Sequence, residues 1–132
     1  MTSDALRALT IGAHGIAIWG LCGGVMEGAR AAIGQDGALV VHAIAAPLIA
    51  AAVTASYRRW FGYARPAPTA VAFTAVPMLL DAAVIAPFAE HSYAMFASPV
   101  GTWIPFALIF ASSYLTGTLV SRPRRAPGAE RA

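Results

Sequence analysis

At 132 residues the chain has room for one domain. Hydrophobic residues make up 58% of it and charged residues only 11%, against about 25% charged in ordinary soluble domains; that balance excludes a typical water-soluble globule. The net charge of +3 implies no nucleic-acid partner, because the basic residues are spaced as membrane loops space them.

Four runs are free, or nearly free, of Asp, Glu, Lys and Arg: residues 8–26, 37–57, 66–89 and 92–121. A helical membrane crossing needs roughly 17 to 25 apolar residues, so each run suffices. The first competes with a cleavable signal peptide. Asp4 sits beside Arg7 in its flank, and the run exceeds the usual 7–15 residues or so of a signal h-region, so a retained span is expected. The predicted fold is an all-α membrane protein, an antiparallel up-down-up-down four-helix transmembrane bundle. Its spans cover about residues 6–27, 37–58, 67–89 and 100–120, with a short basic disordered cytoplasmic tail at 122–132.

All nine basic residues are arginine. Arg7 precedes the first span; Arg58, Arg59 and Arg65 separate the second from the third; Arg122, Arg124, Arg125 and Arg131 follow the fourth. Only Arg30 falls on the other side, beside Glu27 and Asp36. Short loops rich in Lys and Arg stay in the cytoplasm, so both termini are expected there. The arginine-rich tail suits the anionic headgroups of membrane lipids.

Within the first span Gly20, Gly24 and Gly28 recur every fourth residue. Small-xxx-small spacing lets backbones approach closely, either against the alanine-rich second span (Ala43, Ala46, Ala50) or across a homo-oligomer seam. Cys22, the lone cysteine, reads as a small packing residue. Tyr57, Trp60, Phe61 and Tyr63 form an inner aromatic belt, and Tyr93, Phe96 and Trp103 an outer one. Pro66 and Pro68 set the start of the third span. Pro77 removes a donor one turn before Asp81 and predicts a kink there, as Pro47 does near His42. Residues 92–99 are too apolar for an ordinary loop and predict an interfacial turn over the bundle mouth.

The third run is organised around Asp81, its only formal charge. A carboxylate in hydrocarbon is costly and usually faces a protein interior or a water-filled cavity. Centring each span at about 1.5 Å of rise per residue puts Asp81 roughly 5 Å outside the midplane and His42 and Trp103 roughly 8 to 10 Å outside it. His14 falls roughly 4 Å to the cytoplasmic side. Asp81 and His42 are therefore the candidate catalytic pair, able to exchange protons as general acid and base. Trp103, Tyr93, Thr102, His14 and Glu27 are the candidate ligand-binding residues. For each a bland alternative stands: a structural carboxylate at Asp81, a belt anchor at Trp103, a solvated helix end at Glu27. The depth mismatch of His14 and His42 disfavours bis-histidine haem. No spacing such as H-x-x-x-H marks a metal site, so no cofactor is implied. The expected partners are membrane lipids, a small lipophilic ligand, and a second copy or another membrane protein.

Leu79-Leu80-Asp81 through Pro87, then Ser92-Tyr93 and a final span with Pro105, resemble an uncharacterised family of small bacterial four-span membrane proteins over the C-terminal half of the chain. The resemblance implies a bacterial inner membrane and four spans, and no activity, substrate or site.

Overall fold

A computed structural model describes residues 2–120; the expected tail at 122–132 lies outside the described residues. Among those described the regular structure is entirely helical. Helix α1 covers Ser3–Trp60, α2 covers Pro66–Leu80, and α3 covers Ile104–Leu119. Between α2 and α3 the chain winds through a π-helical segment at Asp81–Ala89, a 3₁₀ turn at Ala94–Ala97 and a short π-helical turn at Pro99–Trp103. Three stretches, Ser3–Trp60, Pro66–Ala89 and Pro99–Leu119, are long and apolar enough to cross a membrane.

Helix α1 is not straight. Gly34 interrupts it with φ 78° and ψ 178°, a region open in practice only to glycine. Forty-three residues of continuous helix would hold His14 and Tyr57 about 60 Å apart, yet their rings meet at 5.3 Å. The chain therefore doubles back at Gly34, dividing α1 into arms at 3–33 and 35–60. The first arm runs several residues past the apolar limit near residue 27, because helical hydrogen bonding does not stop where hydrophobicity does. Glu27 and Arg30 pair across one turn at 3.1 Å within it. Pro47 lies in the second arm, whose dihedrals stay helical, so it breaks nothing.

Thr2 caps α1 by accepting from the Ala5 N–H at 3.3 Å. Arg65 is extended (φ −66°, ψ 161°) and Pro66 opens α2, as the steric limits on a residue before proline require. Tyr57 was expected in an aromatic belt; it is instead fully buried. Its hydroxyl accepts from the Ala64 N–H at 3.1 Å, and Arg58 Nη1 donates to the Ala64 carbonyl at 2.6 Å. Two side chains of α1 thus tie down the turn into α2.

The core draws on every helix: Ile18, Cys22, Ala46, Ala50, Tyr57, Phe73, Phe106 and Ile109. Large apolar side chains point outward as well, including Leu48, Leu79, Phe88 and Leu119, an exposure that suits lipid rather than water. Helices α1 and α2 meet tightly at Gly15, where an added Cβ would lie 2.8 Å from the Val76 side chain. The anticipated stripe behaves differently. A Cβ at Gly20, Gly24 or Gly28 would meet nothing within 4 Å, so this stripe does not pack against the second arm.

Candidate functional site: a cavity around Asp81

Asp81 stands where α2 changes winding. Its N–H still reaches back to the carbonyls of Met78 and Pro77, but farther on the Glu90 N–H pairs with the Ile85 carbonyl, five residues back, at 2.9 Å. Pro87 supplies the reason. It offers no N–H, and its ring would crowd the carbonyl of Ala83 in a regular α-helix; an extra residue per turn relieves both. Pro77, where the sequence predicts a kink, lies within the α-helical part, and the change of winding begins after it, at Asp81.

The carboxylate is half-satisfied. Trp19 Nε1 donates to Asp81 Oδ1 at 3.0 Å, joining the first arm of α1 to the end of α2. This is the only hydrogen bond of the Asp81 side chain among the described residues, which leaves Oδ2 free to accept another. Both residues line a cavity of about 640 Å³, within the usual range of about 300–1,000 Å³ for small-molecule sites. Its walls come from both arms of α1, from α2 and its π-helical extension, and from α3.

Of the residues anticipated from sequence, Asp81, His42, Thr102 and Glu27 line this cavity. No hydrogen bond or ion pair joins His42 to Asp81. Thr102 is buried and donates through Oγ1 to the Met95 carbonyl at 2.6 Å, which fastens the 3₁₀ turn. Met95 and Ser98 of that stretch also line the cavity. The remaining three candidates lie outside the lining. Trp103 is half-exposed and donates to the Phe96 carbonyl at 2.8 Å. Tyr93 is exposed and stacks on Phe96. His14 sits among Tyr57, Phe61 and Phe73, with Nδ1 donating to the Thr10 carbonyl at 2.7 Å.

Two features were not anticipated. The first is Trp19. The arithmetic that set Asp81 roughly 5 Å beyond the midplane sets Trp19 at roughly 4 Å, since a span of 6–27 is centred near residue 16; matching depths were the available signal. The second is the ionic group formed by Arg30, which reaches Glu27 at 3.1 Å and, across to the end of the π-helical segment, Glu90 at 3.4 Å. All three line the cavity. No sequence pattern could have paired residues sixty positions apart.

No three His, Cys, Asp or Glu side chains converge in a metal-binding arrangement among the described residues. The arrangement can accept a hydrogen bond from a guest at Asp81, surround it with apolar wall, and set an ionic cluster against its other end. Comparison of the chain with protein-family models, curated proteins and solved structures returns no match.

Proposed function

We propose that the chain is a multi-pass protein of a bacterial inner membrane whose pocket, in the outer half of the bundle, binds a small lipophilic molecule or performs acid–base chemistry on it. In this reading the two arms of α1, α2 with its extension, and α3 make four antiparallel crossings with both termini in the cytoplasm. Support for the crossings comes from the reversal at Gly34, from three stretches of membrane-spanning length and apolarity, and from eight of nine arginines falling on one side.

One observation carries the functional part: a cavity of about 640 Å³ lined by all these segments and containing an acid that shares only one of its oxygens with the described residues. Protein embedded in lipid gains nothing from a cavity as such, because a void forfeits dispersion contacts. A guest restores them. Asp81 would anchor or exchange a proton with that guest, and His42, elsewhere on the wall, would serve a second polar group rather than Asp81 directly.

Protein purified gently in lipid nanodiscs should carry a co-purifying small molecule detectable by native mass spectrometry. Asp81→Asn preserves shape and the oxygen facing Trp19, so the fold should persist while occupancy falls by about tenfold or more. Unchanged occupancy in a folded Asp81→Asn protein would end the proposal. A second reading, proton-coupled transport by an oligomer, is favoured by the open glycine stripe at residues 20, 24 and 28. A strictly monomeric protein in mild detergent would count against it.

A further inference from the structure

We infer that the molecule held beside Asp81 is a lipophilic amine, bound as its ammonium ion. The inference rests on the pocket reading above and adds the chemical class of the guest.

The cavity lining contains three carboxylates, those of Glu27, Asp81 and Glu90, and one guanidinium, that of Arg30. That guanidinium is already shared. Nη1 of Arg30 faces Glu27 at 3.1 Å and Nη2 faces Glu90 at 3.4 Å, so its charge is more than matched before any guest arrives. Asp81 has no basic partner among the described residues; its one hydrogen bond there comes from the neutral indole of Trp19. The free Oδ2 therefore calls for a partner, and the ionised carboxylate calls for a cation. Asp81 is half-buried, a charge taken partly out of water is unfavourable without a partner, and an ammonium supplies both requirements in one group. An alcohol supplies the hydrogen bond without the charge. A carboxylate would meet repulsion from the lining and would find Arg30 occupied.

The other walls suit the same guest. Trp19 and Phe106 line the cavity, and aromatic faces attract ammonium groups, most strongly when the pair is shielded from water. Ile85, Ile109 and Met26 offer apolar surface for a hydrocarbon body. An amine that enters uncharged through the lipid takes its proton from the Asp81 carboxyl, and one that enters as the cation meets the carboxylate directly. Either route ends in the same ion pair, with no other reactant.

The test uses three probes of equal chain length: dodecylamine, dodecanol and dodecanoate. Protein carrying Trp60→Phe and Trp103→Phe retains Trp19 as its only indole among the three tryptophans. Placed in nanodiscs of zwitterionic phosphatidylcholine, with empty nanodiscs as the partitioning control, it reports cavity occupancy through Trp19 emission. Dodecylamine should saturate the signal at about tenfold lower concentration than dodecanol, and dodecanoate should bind weakest. Asp81→Asn should bring the amine level with the alcohol. Equal binding of amine and alcohol to protein with Asp81 intact, or tighter binding of dodecanoate, overturns the inference while leaving the pocket itself in place. An absence of saturable change with all three probes overturns both. The amine-to-alcohol ratio in protein retaining Asp81 decides the matter however the variant folds.

Discussion

The two ends of this molecule use the same helices to opposite effect. Near the turn from α1 to α2 the interior is solid: Tyr57, Phe73, Thr54 and Thr69 are fully buried, and His14 packs among aromatic rings at 5.3 to 6.2 Å. Several polar groups there close on the protein itself, Tyr57 and Arg58 Nη1 on the backbone of Ala64 and His14 on the carbonyl of Thr10, although Thr54 Oγ1 and Arg58 Nε are buried without a partner among the described residues. Around Asp81 a cavity opens between the helices, one carboxylate oxygen has no partner among the described residues, and the helix is π-wound. A bundle in lipid lacks a hydrophobic drive to bring helices together and relies on contact and hydrogen bonding. On the proposed reading, the packed end supplies stability and leaves the other end free to give up contact for a guest.

The sharpest way to break this contrast is to hollow out the solid end. Phe73→Ala opens about 100 Å³, and at about 24 cal/mol per Å³ of cavity the loss is about 2 kcal/mol. The transfer part of the usual penalty is small here because lipid is as apolar as the core. Thermal unfolding in detergent should show this drop clearly; a loss below about 0.5 kcal/mol would mean that Phe73 is not a packing anchor.

Next in size is the glycine pair test. At Gly15 a methyl group would overlap the β-branched, stiff side chain of Val76, so Gly15→Ala should destabilise by about 1–2 kcal/mol. Gly24→Ala meets open space and should stay within about 0.5 kcal/mol of the parent. Equal effects at the two positions would contradict the placement of the close helix contact. The smallest expected change in stability is at the hollow end. Trp19→Phe removes one hydrogen bond worth about 0.6 kcal/mol in a membrane bundle, yet it removes a wall and a positioning donor from the cavity. Guest binding should therefore weaken more than stability does, and the reverse ordering would make Trp19 merely structural.

Glycine and proline mark the limits of what could be read in advance. Pro66 was legible as a helix start because its ring restricts itself and its neighbour in any surroundings. Pro47 and Pro77 could be read as missing donors but not as helix ends, since whether a missing donor interrupts a helix depends on which groups surround it, and both lie inside continuous helical segments. The stripe at Gly20, Gly24 and Gly28 had the right spacing for close packing, and Gly15 had none of it; spacing tells which residues share a face, not what faces them. Likewise, hydropathy isolated Asp81 as the one charge of its run but could not distinguish His42 from Trp19 as its partner. Both line the cavity that Asp81 lines, and only Trp19 comes within hydrogen-bonding distance of its carboxylate.

By itself the order of residues determined that this chain is helical and apolar, where its long apolar runs lie, and which acid is isolated among them. Those are properties of single segments, set by length, composition and local sterics. Only the folded structure decided that Trp19 reaches Asp81, that Arg30 spans from Glu27 to Glu90, and that a cavity remains between the helices. Those depend on how segments far apart in sequence turn toward one another, and no local rule governs that rotation.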